Sequence, residues 1–184
     1  MATRTKTYLT KNRLAKKLAS IDTLILDVDG VLTDDSLYIG PDGFELKRFH
    51  IGDGLSIVLA MRAGLEVFVV SKRHSDATPA RMKDLCIKHV IQEKGDKARL
   101  LTEYCRDHNI ELDLSRAVFI GNDIMDMPLM HRVGVKVAVK DSYQELTAIV
   151  DYVTVNKGGH GAVREVLELY FRGKGLKPSD FLWK

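Results

Sequence analysis

The segment Leu24-Ile25-Leu26-Asp27-Val28-Asp29-Gly30 narrows the folds open to this chain more than any other, because an apolar, β-branched run from Ile21 to Leu26 stops at two carboxylates one residue apart. Such a run reads as a strand covered on both faces, as in parallel sheets, and Gly30 frees the backbone to turn as it leaves the sheet. Asp27 and Asp29 then stand at the carboxyl end of the strand, the edge at which open α/β sheets bind ligands. Two buried, unpaired carboxylates are costly there or have raised pKa values. A magnesium ion, which takes hard oxygen ligands from one or two carboxylates, water and a substrate phosphate, removes that cost. An Asx-type turn closing a strand suits the same two acids, and Asp-x-Asp alone does not decide between the readings.

The rest of the chain repeats the pattern of a strand followed by a helix. Leu65 to Val70 is a second buried strand that ends at Ser71, and Val90-Ile91 is a short third one. Ala117 to Ile120 is a fourth, ending in Gly121-Asn122-Asp123-Ile124-Met125-Asp126, and Val135 to Val139 and Tyr152 to Thr154 complete six. Between them Leu55, Val58, Leu59 and Met61 predict a helix ending near Gly64, with Asp53 as its cap in preference to a frame for the site, and Lys97 opens a helix whose Leu100, Leu101 and Tyr104 face the core. A helix at Tyr143 to Ile149 and one from Ala162, with Val163, Val166, Leu167 and Tyr170 on its apolar side, close the series. The prediction is an α/β fold, a Rossmann-like parallel sheet with helices on both faces. Leu37-Tyr38-Ile39 and Phe44 to Phe49 flank the turn cluster Gly40-Pro41-Asp42-Gly43, so a β-hairpin is expected as a flap after the first strand, with no separate cap domain.

At 184 residues the chain suits one domain, expected over residues 21–172, behind a basic helical extension at 1–20 and ahead of a tail at 173–184. The extension carries Arg4, Lys6, Lys11, Arg13, Lys16 and Lys17, and its Leu9, Leu14 and Leu18 form a stripe that docks a surface helix in preference to a transit peptide. A net charge of +3 without a dense basic, aromatic-interleaved run argues against nucleic acid and favours a small anionic substrate. No run is long enough to span a membrane. Cys86 and Cys105 have no metal-binding spacing and are too few for a disulfide framework, so a cytoplasmic location is expected.

The string Asp27-Val28-Asp29-Gly30-Val31-Leu32-Thr33-Asp34 resembles the first motif of the haloacid dehalogenase superfamily of phosphohydrolases. Ser71, Lys97 and Gly121-Asn122-Asp123 with Asp126 are similar to its second, third and fourth motifs, in order. Gly158-Gly159-His160-Gly161-Ala162-Val163-Arg164-Glu165 resembles the subgroup that includes 3-deoxy-D-manno-octulosonate 8-phosphate phosphatase. Two positions depart from the pattern: Lys72 stands where a Gly usually follows Ser71, and Asn122 stands at the Asp expected to bind metal.

The resemblance implies a magnesium-dependent phosphatase in which Asp27 forms an aspartyl-phosphate, Asp29 moves the proton, and Ser71 and Lys97 gather the phosphoryl oxygens. It places the metal on Asp27, Asp29 and Asn122, with Asp123 and Asp126 behind them. Arg73 is expected to bind the carboxylate of an eight-carbon sugar acid, Arg81 to add a second contact, and the Gly158–Gly161 loop to lie near the substrate. A small-molecule sugar phosphate is the implied partner, and a homotetramer the implied assembly, with Leu37, Tyr38, Ile39, Phe44 and the Phe181-Leu182-Trp183 tail as contact candidates. The alternatives are a phosphatase of nine-carbon sugar-acid 9-phosphates, a non-catalytic assembly domain of the kind fused to cytidylyltransferases, and a phosphomutase.

Overall fold

A computed structural model describes residues 7–183, so Arg4 and Lys6 of the basic extension lie outside the described residues. The elements are α1 (Lys11–Leu18), β1 (Thr23–Leu26), β2 (Tyr38–Ile39), β3 (Glu45–Leu46), α2 (Ile51–Arg62), β4 (Glu66–Ser71), α3 (Ala77–Asp84) and β5 (His89–Gln92). They continue with α4 (Lys97–Asp107), β6 (Ala117–Gly121), α5 (Met127–Met130), β7 (Val135–Ala138), α6 (Gln144–Thr147), β8 (Tyr152–Val153) and α7 (Ala162–Lys174).

Six strands form one sheet in the order β5-β4-β1-β6-β7-β8, and every pairing in it is parallel. All four residues of β1 are buried, as a central strand with helices on both faces requires. The two faces hold separate apolar cores. One gathers Leu24, Leu26, Val67 and Val69 against α1, α2 and α7, and the other gathers Ile25, Phe68, Val70 and Phe119 against α4 and α5. Strand alternation produces this split, because residues 24 and 26 point to one face and residue 25 to the other. Chain order reverses direction beside β1, since β4 and β5 extend the sheet one way and β6 to β8 the other. In open parallel sheets that switch point is where ligands bind.

Between β1 and α2 stands a two-stranded hairpin, β2 against β3, in place of any larger insertion. An antiparallel bridge between Thr33 and Phe49 closes its base. Its outer side chains Tyr38, Ile39, Phe44 and Leu46 are exposed, Ile39 by 64%. The tail divides: Phe181 is buried, its ring 6.0 Å from that of Phe171, whereas Trp183 is 95% exposed. Phe181 therefore belongs to its own subunit's core and leaves only Leu182 and Trp183 of the tail available for contact.

Helix α1 is capped by Thr10, whose hydroxyl accepts the Arg13 amide at 3.4 Å, and it buries Leu14, Ala15 and Leu18 against α7. The expected cap of α2 is corrected. His50 caps it, through Nδ1 accepting the Asp53 amide at 3.2 Å, while the buried Asp53 carboxylate caps α7. Its oxygens accept the Gly161 amide at 3.2 Å and the Arg164 amide at 2.6 Å. The reason is local: the residue before α7 is Gly161, in the left-handed region at φ 93°, and glycine has no side chain to cap the helix that follows it. Burial raises the pKa of Asp53, against the pull of those backbone donors and of His50. Asp53→Ala strands two amides and is expected to cost about 2 kcal/mol. A thermal melt should show Tm lowered by about 4–8 °C, and an unchanged Tm would refute the capping role.

Candidate active site

Four strand ends meet at the carboxyl edge of the sheet, and each brings one polar group. Leu26 of β1 is in register with Val69 of β4 and Ile120 of β6, so Asp27, Ser71 and Asn122, each following its strand core, arrive at one level. Lys97 follows β5 at the first position of α4, and the Asp96 carboxylate caps that helix by accepting the Arg99 amide at 2.9 Å. Together Asp27, Asp29, Asp35, Ser71, Lys72, Arg73, Lys97, Asn122, Asp123 and Met125 line a cleft of about 200 Å³. A groove of about 510 Å³ between α2 and α3 is larger, but it lies away from the carboxyl edge of the sheet, and its lining, which includes Glu66, Asp84, Lys88 and His89, holds none of the strand-end groups gathered there.

The centre of the cleft is a buried row of charges. Lys97 Nζ is 2.7 Å from Asp27 Oδ1 and 2.6 Å from Asp126 Oδ1, and all three side chains are at least nine-tenths buried. Asp27 Oδ1 also accepts the Val28 amide at 2.7 Å, which leaves Oδ2 without a hydrogen bond among the described residues. Burial pushes the Asp27 carboxyl up, Lys97 pulls it down and Asp126 pushes it up again, with the balance at about 7. Burial works against the Lys97 charge, but Asp27 and Asp126 more than offset it and raise its pKa. The ammonium therefore stays charged between two acids.

Asp126 is completely buried behind the cleft. Its Oδ2 accepts the Asn122 and Asp123 amides at 2.9 and 3.1 Å, so one carboxylate fixes both Lys97 and the loop that presents Asn122. Asp123 closes the reciprocal capping box with Asp126 and lines the cleft rim. Asn122 Oδ1 is buried and has no hydrogen-bond partner among the described residues. An orphaned carbonyl oxygen beside a carboxylate is the donor a hard cation takes. No group of three His, Cys, Asp or Glu able to hold a metal exists among the described residues. That is compatible with a site built from one carboxylate, one amide oxygen and a backbone carbonyl.

Ser71 is buried and caps no helix; its hydroxyl accepts the Arg73 amide and donates to the Arg73 carbonyl, both at 3.1 Å. Arg73 reaches the cleft, but its guanidinium is paired with Glu45 at 2.5 Å. Arg81 does not reach it. Its guanidinium lies against Gly54 of α2 and pairs with Asp84 at 2.5 Å, so the expected second contact to substrate is withdrawn. The cause is its place in the last turn of α3, beyond the loop that leaves the strand tip at Ser71.

The Gly158–Gly161 loop is also corrected, because it does not line the cleft. Side chains at Gly158 and Gly159 would overlap the backbone of Gly30, Thr33 and Asp34, and the Gly159 amide donates to Val31 O at 2.9 Å. The loop braces the Asp27–Asp35 turn from behind, backbone on backbone. Glu165 anchors it by accepting from Tyr152 Oη at 2.7 Å and from the Val155 and Asn156 amides, while Arg164 pairs with Glu168 at 2.8 Å. His160 accepts from Arg48 at its Nε2, 2.9 Å away. Sequence reasoning missed Glu45 and Lys47. Their signal is the period of two in β3 and its continuation, which sends 45 and 47 inward and exposes Leu46.

A parallel sheet whose carboxyl edge gathers Asp-x-Asp, a hydroxyl, a buried lysine and an acid-anchored loop defines a hydrolase that works on phosphoryl groups through a carboxylate. The haloacid dehalogenase-like hydrolase family matches residues 69–167. The chain belongs to that family. It is 36% identical over 159 residues, 86% of this chain and 84% of the relative, to the 3-deoxy-D-manno-octulosonate 8-phosphate phosphatase KdsC of Escherichia coli K12. The phosphatase of the same name from Yersinia pestis superposes with TM-score 0.82 at 34% identity, covering 88% of this chain and 86% of that one. So does the one from Moraxella catarrhalis, solved with magnesium, phosphate and 3-deoxy-D-manno-octulosonate, with TM-score 0.82 at 32% identity over 89% and 93% of the two chains. Within the family the chain falls in the 3-deoxy-D-manno-octulosonate 8-phosphate phosphatase group.

Removing the central cation leaves two buried carboxylates facing each other. Lys97→Met keeps the volume and is expected to lower stability by about 3 kcal/mol. Urea unfolding at neutral pH reads this directly, and a variant as stable as the wild type would show that the charge row does not support the fold.

Proposed function

We propose that the protein hydrolyses 3-deoxy-D-manno-octulosonate 8-phosphate to the free sugar acid and phosphate, using magnesium. The observation that carries the reading is the buried Asp27–Lys97–Asp126 row in a cleft that also holds the orphaned oxygen of Asn122. Asp27 Oδ2, free of hydrogen bonds, attacks phosphorus in line and forms an aspartyl-phosphate. Asp29 gives a proton to the departing sugar oxygen and later accepts one from the attacking water. Lys97 neutralises the nucleophile and the equatorial oxygens, and the Ser71 hydroxyl turns from Arg73 to a phosphoryl oxygen. Asp27, the Asp29 backbone carbonyl and Asn122 Oδ1 would hold magnesium, which would supply positive charge to the phosphoryl oxygens when bound. Asn122 supplies an oxygen without a charge, and Asp123 and Asp126 keep its loop in place. Arg73 meets the sugar-acid carboxylate by exchanging Glu45 for it, and Lys72 adds a second positive charge at the rim.

Phosphate release tests the reading. The wild type with magnesium should prefer the eight-carbon 8-phosphate over nine-carbon sugar-acid 9-phosphates by about 10-fold or more in kcat/KM, and folded Asp27→Asn should release none. Turnover by Asp27→Asn would remove the nucleophile assignment, and preference for a nine-carbon ester would replace the substrate.

The working assembly in this reading is a homotetramer. Exposed Tyr38, Ile39, Phe44 and Leu46 on the hairpin, with Trp183 at the tail, make apolar surface that a second subunit covers at favourable free energy. No helix among the described residues is long and apolar enough to cross a membrane. Both cysteines are free thiols, which supports placing the enzyme in the reducing cytoplasm. Sedimentation should find the tetramer at working concentration. A monomer with full, concentration-independent turnover would overturn the assembly.

A further inference from the structure

Lys47 is the least expected charge in the molecule. It follows β3 on the hairpin, yet its side chain is fully buried, with Nζ 2.6 Å from Asp29 Oδ1 and 3.7 Å from Glu45 Oε1. A desolvated ammonium persists only where anions hold it, and those two carboxylates do. The second oxygen of Glu45 reaches Arg73 at 2.5 Å, so charges alternate from Asp29 through Lys47 and Glu45 to Arg73. Among the described residues the lysine is the one tether of Asp29: its carboxylate, 23% exposed at the cleft, makes no other ion pair or hydrogen bond there.

From this geometry we infer that Lys47 is a positioning residue for the proton transfers of Asp29. The inference rests on the phosphatase reading above. Lys47 occupies Oδ1, fixes the rotamer of a side chain that stands on a turn, and leaves Oδ2 as the oxygen that exchanges a proton. In the first displacement Asp27 bonds to phosphorus, the bond from phosphorus to the sugar oxygen breaks, and its electron pair takes the proton from Asp29 Oδ2. In the second, water bonds to phosphorus, its proton passes to Oδ2, and the electron pair of the aspartyl-phosphate bond returns to Asp27. The hairpin is thereby part of the proton path through Lys47, and its inward residues 45 and 47 tie that path to the arginine at the end of β4.

Leaving-group dependence separates positioning from general support. An alkoxide must be protonated as it departs, whereas p-nitrophenolate leaves unprotonated. Rapid-quench measurements follow the first turnover of Lys47→Met and Lys47→Arg with the sugar phosphate and with p-nitrophenyl phosphate. Lys47→Met is expected to slow first-turnover release of the sugar by about 100-fold, and to change first-turnover release of p-nitrophenolate by less than about 3-fold, followed by slow steady-state turnover. Lys47→Arg, which keeps the cation, should recover most of the loss. Equal slowing of both esters would assign Lys47 a structural role only, and undiminished sugar release would remove it from the reaction; either result overturns the inference. If Lys47→Met does not fold, Lys47→Gln is read by the same ratio. Wild-type failure on the eight-carbon ester would count against the proposed substrate alone, because the alkyl-to-aryl ratio is then read with glycerol phosphate.

Discussion

The structure is organised by the contact of one ammonium with two carboxylates. Lys97 between Asp27 and Asp126 lets three charges share the interior, where any of them alone would be expelled or neutralised. The geometry of the sheet follows from that requirement. Asp27 needs β1 at the centre, Asp126 needs the end of β6 next to it, and Lys97 needs α4 to start just beyond β5 and lean across β4. A substrate phosphate arriving at this edge enters an environment in which the positive charge is already desolvated and fixed, so little reorganisation is left for the moment of reaction.

Around the charge row, the turn carrying Asp27 and Asp29 is held from three directions. Its own Thr33 hydroxyl accepts the Gly30 amide at 3.3 Å, the hairpin supplies Lys47, and the glycine loop before α7 lies against its back. Gly30, at φ 76°, shows how little room is left: a β-carbon there would overlap the Asn122 amide. The turn can be so crowded because glycines at 30, 158 and 159 remove the side chains that would keep the segments apart.

Much of this was legible in the chain. Six apolar runs ending in polar residues predict a parallel sheet with its chemistry at one edge, and all six strands are found, each shifted by no more than two residues. Asp27, Ser71, Lys97 and Asn122 could be placed at that edge because each directly follows a strand or opens a helix. What could not be read depends on distant pairing. Asp53 stands in the first turn of α2 and looks like its cap, yet the helix that lacks a cap lies more than a hundred residues away. Glu45 and Lys47 sit in a hairpin whose apolar, aromatic residues draw attention, and only the fold shows that the hairpin's charged side faces inward. Arg81 has the right residue type on the right helix, but too far along it. The glycine-rich loop has the composition of a phosphate cradle and is instead a brace.

That brace has a consequence for how the protein comes into being. The turn bearing Asp27 is built from residues near the beginning of the chain, but it is pressed into shape by a loop at 158–161, which Asp53 and Glu165 fasten to α7. Helix α1 in turn packs on α7, so the first and last helices close over the same core. The turn and its brace are more than a hundred residues apart in sequence, so this contact is among the longest-range in the molecule, and contacts of that kind are costly in loop-closure entropy and slow to form. The edge that carries the chemistry is therefore complete only when the beginning and the end of the domain have met, and a chain cut short before residue 158 lacks one wall of its own reactive turn.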